Sequence, residues 1–246
     1  HIMTFVFNLI HLIYSYFHTL HENHSQNKSL ANGFILVLKI CYMTLKNVKP
    51  SLNKITKSLA ATQDSREFLL KNTREIIILC SKSIIAVHKG ELTTAKNNLK
   101  QADKLLKKYK KKATGQLRRY LITPEQEFVE AACLIAIVEK KDIPSDKKLA
   151  VMPESYVLGL LDCVGELKRK VFDEMRAGGI DEAIRFFDIM ENLYLQLYTF
   201  SLYDKVVKEA RRKIDVNRIL VDDVRSAITQ EKRRIVLIKT LEKLEK

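Results

Sequence analysis

The sequence predicts an all-α protein, an antiparallel bundle of about seven helices with an N-terminal helical extension. Three observations predict it. Glycine (7) and proline (4) are scarce among 246 residues, so long stretches run without a breaker. Those stretches are rich in Lys, Leu, Ile, Glu and Ala, which a helix tolerates well. No run shows the two-residue alternation of a strand, and no internal repeat is visible. With 46% hydrophobic residues the chain can bury a core the size of one domain.

Residues 1–46 read as an apolar, His-rich extension and residues 47–246 as the helical domain. The opening run around Phe5 to Phe17 carries Asn8, His11 and Ser15 and no basic leader, which makes it a poor signal peptide and too polar to span a bilayer. It fits a helix packed on the body, a membrane-surface helix, or sequence upstream of a start at Met43. His18, His21 and His24 recur at three-residue spacing, a metal pattern without a nearby carboxylate or cysteine cluster. From about Ser51 a long helix reaches about Lys89, with Ile76 to Cys80 suggesting burial on more than one side, and Gly90 ends it. A second helix covers about 93–112, and Ala113, Thr114 and Gly115 break the chain. A third covers about 116–140 with an adjustment at Pro124. Pro144 and Pro153 bracket a short loop. Helices follow at about 153–177, 180–199, 201–213 and 217–245, with Gly178 and Gly179 as the stop between the first two.

The charge narrows the partner. Lys and Arg number 43 against 29 Asp and Glu, a formal net charge of +14, which points to a polyanion: nucleic acid or an acidic membrane surface. The four cysteines, Cys41, Cys80, Cys133 and Cys163, lie far apart in apolar helical stretches and form no zinc spacing. They read as reduced core residues of a cytoplasmic protein.

Two carboxylate pairs carry the candidate chemistry. On the helix that starts near Pro153, Val157, Leu160, Leu161, Val164 and Val171 make one stripe, and Asp162 and Glu166 fall almost opposite it at i and i+4. Like charges at that spacing repel mildly unless a cation sits between them. On spacing alone they also fit an ordinary solvated face, with Glu166 relieved by Arg169. Glu127 and Glu130 repeat the theme at i and i+3. Hard oxygen donors from facing helices suit Mg2+ or Mn2+, and such ions serve attack on phosphodiesters. No histidine lies near these pairs in sequence, which disfavours zinc or di-iron.

The basic residues cluster as well. Lys104, Lys107, Lys108, Lys110, Lys111, Lys112, Arg118 and Arg119 surround Tyr109 and Tyr120 with no acid between them. Such a run attracts phosphates, and the tyrosines offer stacking faces; a solvated lysine-rich helix end is the alternative. Lys71 and Lys82 lie nearly on one line of the first long helix, with Arg74 beside them.

Taken together, TPEQEFVEAA, MPESYVLGLLDCVGELKR and AGGIDEA resemble, in order and in internal spacing, three segments of the translin family, closest to its translin-associated factor X branch. REFLLKNTREIIILCSKSIIAVHKGE resembles the first family helix, with Lys71, Arg74, Ser81, Lys82 and His88. The resemblance covers about residues 52–245. Its most specific part is the DxxGE segment with Tyr156, Gly159 and Arg169. The departures are Cys163 and Val164, a shorter loop around Pro144, and the N-terminus.

The resemblance implies a metal-dependent endoribonuclease acting on single-stranded RNA. Glu127, Glu130, Asp162 and Glu166 would be its catalytic and Mg2+- or Mn2+-binding carboxylates. Lys71, Arg74, Lys82, Lys108, Lys111, Arg118 and Arg119 would hold the nucleic acid. It also implies a closed shell of about eight subunits, either a homo-oligomer or a hetero-oligomer with a translin-like partner, and no stable membrane insertion. The alternative within the family is a protein that binds single-stranded RNA or DNA without cutting it. Outside it stands a helical scaffold or membrane-surface protein that relies on its N-terminal segments.

Overall fold

The computed structural model describes residues 45–244 together with Ile35. The described residues hold seven α-helices and two 3-10 segments, and no strand among them. The helices are α1 (Val48–His88), α2 (Leu92–Lys110), α3 (Ile122–Val138), α4 (Asp146–Leu149), α5 (Pro153–Arg176), α6 (Ile180–Leu197) and α7 (Ala210–Leu244). The all-α fold expected from the sequence is the fold observed. The described residues divide into two compact units at Ala61/Thr62. In the first, residues 45–61, which include the opening turns of α1, are exposed throughout, among them the apolar Leu45, Val48, Leu52, Ile55 and Leu59. The second unit holds the core. His18, His21, His24 and Cys41 lie outside the described residues.

Helix ends follow residue chemistry. Gly90 adopts φ +78, and the backbone N–H groups of Gly90 and Glu91 turn back onto the carbonyls of Val87 and Ala86 to close α1. Gly178 repeats the device after α5. Ser145 caps α4 by accepting a hydrogen bond from the Lys148 N–H at 3.2 Å.

Two elements differ from the sequence expectation. The single helix expected over 116–140 divides into a 3-10 segment, Gly115–Leu121, and α3, so Pro124 sits in the first turn of α3, where its missing N–H leaves no helical bond unmade. The break expected near residues 214–216 lies earlier. A 3-10 segment, Tyr198–Tyr203, ends before α7, and Glu209 at φ +70 turns the chain. No glycine or proline marks this break. Asp204 makes it by accepting the Arg211 N–H at 3.1 Å, and burial of Val207 and Ala210 holds the turn.

Helices α1, α2 and α3 run antiparallel in turn. Ser83 on α1 donates to the Ala95 carbonyl while Phe68 meets Tyr109 edge to face at 5.2 Å. Ion pairs Lys96–Glu139 and Lys110–Glu125 place α2 against α3 in opposite senses. Helix α5 is the hub, packing against α3, α6 and α7. It runs in the same direction as α3, because Glu125 at the start of α3 holds Met152 at the start of α5 while Ile137 and Lys140 at the other end meet Arg185 and Glu182 just beyond the end of α5. It also runs in the same direction as α7, because Asp162 pairs with Lys213 and Lys168 with Asp223. Leu69, Ile76, Leu106, Leu121, Leu134, Leu161, Leu167, Met190 and Ile214 are fully buried between these helices. Cys80, Cys133 and Cys163 are buried free thiols of that core, as expected; burial pushes the Cys133 thiol up to about 12.

Candidate functional site

A cleft of about 460 Å³ opens between α3, α5 and the start of α7, and Glu127, Glu130 and Asp162 line it with Arg212 and Lys213. Why α3 comes so close is local. A Cβ built on Gly159 would stand 2.5 Å from the Gln126 carbonyl oxygen and 2.6 Å from the Val129 Cβ, so α5 seats its backbone directly against α3. A second interaction fixes register. Glu125 is 0% exposed, accepts the Met152 N–H at 2.8 Å and pairs with Lys110 Nζ at 3.1 Å, which anchors α3 to the N-terminus of α5.

Asp162 and Glu166 are not on the open solvated face expected opposite the apolar stripe. Their side chains are 22% and 24% exposed, because α7 covers one side of α5 and α1 another. Asp162 accepts hydrogen bonds from Lys213 and, at 2.5 Å, from Gln126. Glu166 accepts from His88 Nε2 at 2.5 Å, and His88 Nδ1 lies 3.1 Å from Asp173, so a 4%-exposed imidazole bridges two carboxylates of α5. Arg169, the expected relief for Glu166, stands 3.9 Å away, a weaker interaction than His88 provides.

Glu127 and Glu130 differ. Neither forms a hydrogen bond or ion pair with another described residue. Burial, then the charges of Asp162, Glu127 and Glu166, push the Glu130 carboxyl up to about 9, with Lys213 opposing. Glu127 is raised by burial and then by Asp162. Four carboxylates thus share one electrostatic neighbourhood with too little positive charge. Among the described residues no three His, Cys, Asp or Glu side chains stand as a closed ligand set, since Asp162 and Glu166 are turned to Lys213 and His88. The donor chemistry still fits a hard divalent cation: all oxygen, mutually repelling, and half of it unpartnered.

The basic residues expected to hold nucleic acid, Lys71, Arg74, Lys82, Lys108, Lys111, Arg118 and Arg119, are all exposed, and none lines the cleft. On α1 the exposed Ile78 and Ile85 alternate with Arg74 and Lys82 along one line. Lys110, part of the basic run, is tied to Glu125 and the Ala150 carbonyl. Sequence reasoning missed Arg66, which donates to the Tyr120 hydroxyl at 3.0 Å, while Arg119 donates to it at 3.1 Å. Those two guanidinium groups pull the Tyr120 hydroxyl below its ordinary range. It also missed Gln126, Arg212 and Lys213. Gln126 lies inside the glutamate motif and was within reach; Arg212 and Lys213 lie some 50 residues from Asp162, at a helix start that no breaker announces.

The Translin family model matches residues 11–230. The chain belongs to the translin family. The match begins upstream of the span carried by the motifs. An uncharacterized protein from Methanocaldococcus jannaschii is 38% identical over 174 residues, 70% of this chain and 78% of that protein. Among solved structures, AfC3PO in complex with duplex RNA is 31% identical, with a TM-score of 0.68 over 74% of this translin-family chain and 97% of its own. AfC3PO alone, 33% identical, has the same coverage and TM-score. Apo-NeC3PO, 22% identical with a TM-score of 0.65, shares the fold.

Proposed function

We propose that this translin-family protein binds RNA and cuts it as a metal-dependent endoribonuclease, with Glu127, Glu130, Asp162 and Glu166 holding Mg2+ or Mn2+. The observation that carries the reading is the cleft itself. It lines up Glu127, Glu130 and Asp162 with Glu166 close by, burial and the neighbouring carboxylates raise the proton affinity of Glu127 and Glu130, and a fold keeps such a cluster more readily when a cation uses it. Likeness to AfC3PO, which is known bound to duplex RNA, supports RNA as the ligand. A divalent ion at these carboxylates supplies charge stabilisation and activation of water for attack on a phosphodiester.

The chain's own side chains have distinct parts. Arg212 and Lys213 attract the phosphate at the cleft, and as Lys213 engages it Asp162 is freed from its ion pair. His88 and Asp173 hold the Glu166 carboxylate in place. Lys71, Arg74, Lys82, Lys108, Lys111, Arg118 and Arg119 bind the strand electrostatically away from the cleft. We place the protein in an oligomeric shell with copies of itself or a translin-like partner, which would cover the exposed Leu195, Tyr198, Leu202 and Val206. The free buried thiols agree with the cytoplasm, and no helix among the described residues is long and apolar enough to cross a membrane.

A second reading, RNA binding without cleavage, is favoured by one observation: Asp162 is already satisfied by Lys213 and Gln126. The test uses end-labelled single-stranded RNA and its duplex, in Mg2+, Mn2+ or EDTA. Cleavage of single strands in metal, absent in EDTA and reduced about 100-fold or more in Asp162→Asn and Glu130→Gln, is the expected result. Salt-sensitive binding with intact RNA in every metal selects the second reading.

A further inference from the structure

We propose that Gly165 is a clearance residue: it leaves the α5 backbone bare between Asp162 and Glu166 so that the ribose-phosphate backbone of RNA can pass against the helix. The inference rests on the RNA-binding reading above and deepens it.

A glycine inside a helix loosens the helix, because it has the most backbone freedom to lose. Three structural reasons justify one there: a left-handed backbone, a neighbouring element too close for a Cβ, or a ligand that needs the space. Gly165 has no left-handed φ, and a Cβ built on it meets nothing within 4 Å. Gly159, six residues earlier on the same helix, is the contrasting case, because a Cβ there would stand 2.5 Å from the backbone of α3. The first two reasons are therefore absent at Gly165, and it lines the cleft.

Its surroundings indicate what passes there. Helices α5 and α7 run in the same direction, bridged at Asp162–Lys213 and again at Lys168–Asp223. Gly165 lies between these rungs, level with the stretch of α7 that carries Val216 and Leu220. The cleft thus has charged walls around Asp162, Arg212 and Lys213, and a neighbouring apolar stretch at Leu161, Val216 and Leu220 with Gly165 as its floor. Charged groups suit a phosphate, and a bare backbone beside aliphatic side chains suits the sugar joined to it. An alanine Cβ at 165 would project into that passage without touching the protein, and a leucine would reach further into it.

The test compares Gly165→Ala and Gly165→Leu with wild type by thermal melting, by anisotropy of a labelled single-stranded RNA in EDTA, and by its cleavage in Mn2+. Gly165→Ala is expected to raise Tm by about 2–4 °C while weakening RNA binding and lowering kcat/KM. Gly165→Leu is expected to lower kcat/KM by about 100-fold while remaining folded. A lower Tm for Gly165→Ala, or RNA affinity unchanged in Gly165→Leu, overturns the proposal. Wild type that binds RNA without cutting it overturns only the endonuclease reading, because the affinity comparison still decides Gly165. Wild type that neither binds nor cuts overturns both.

Discussion

The two carboxylate pairs of the cleft sit on touching helices yet live in opposite conditions. On α5, Asp162 is held by Lys213 and Gln126, and Glu166 by His88, which Asp173 in turn supports. On α3, Glu127 and Glu130 have no such partners, and Glu130 is buried to 8% exposure with its carboxyl pushed up to about 9. One pair is pre-positioned by hydrogen bonds, while the other is buried without a partner and repelled by its neighbours, a cost that a cation would relieve. The difference teaches that position and charge demand are supplied by different helices, and that the close approach of α3 to α5 is what makes them a single site.

That approach can be broken at Gly159. Replacing it with Ala puts a carbon into the space of the Gln126 carbonyl and the Val129 side chain, and backbone cannot step aside as a flexible side chain can. Helix α3 must then move away from α5. A loss of about 2–3 kcal/mol is expected, seen as a Tm lower by roughly 5–10 °C. The separation should also pull the two carboxylate pairs apart, so the proposed RNA cleavage should fall further than the loss of folded protein explains. Unchanged melting in Gly159→Ala would remove close helix approach as the origin of the site.

How much of this is legible in the sequence follows from the same residues. The helices, the stops at Gly90 and Gly178 and the four carboxylates are written in composition, breakers and motif spacing. The break before α7 is not, because Asp204 and the buried Val207 make it without glycine or proline. That hides Arg212 and Lys213, whose nearness to Asp162 exists only once α7 lies along α5. The burial of Asp162 and Glu166 is hidden too, since a helical stripe ranks faces by hydrophobicity but does not say how many neighbours cover α5. Glu125 escapes notice for a related reason. It stands beside Glu127 in the motif, yet it is a buried anchor for the start of α5.

The charge side of the comparison can be sharpened at Glu130. An unfolded glutamate titrates near 4.3, whereas this one is raised to about 9, so between those values the folded protein holds a proton that the unfolded chain has released. Stability contributed by this group therefore falls as pH rises through that window, by at most about 1.4 kcal/mol per pH unit. Glu130→Gln removes the titration. In EDTA the variant should melt above wild type at pH 8, with the gap closing towards pH 5. Mn2+ should raise the wild-type Tm at pH 8 more than that of the variant. A gap that is constant with pH would mean that burial and the neighbouring carboxylates do not raise the Glu130 carboxyl as assigned.

The smallest effect on stability is expected outside the cleft, at the exposed cations. Lys71, Arg74, Lys82, Lys108, Lys111 and Arg118 make no ion pair with other described residues, so single changes to Ala should leave stability within about 0.5 kcal/mol of wild type. RNA binding should respond differently. Each phosphate interaction removed should flatten the dependence of log affinity on log salt by about 0.7 for a single strand. Arg119→Ala is the informative exception, because Arg119 also holds the Tyr120 hydroxyl with Arg66. If that cluster presents Tyr120 for base stacking, Arg119→Ala should weaken binding even at high salt, where the other variants converge on wild type. Convergence of Arg119→Ala with the rest would make it one more phosphate-binding cation, and would leave the cleft, rather than the α1 to 3-10 surface, as the place where RNA is held by more than charge.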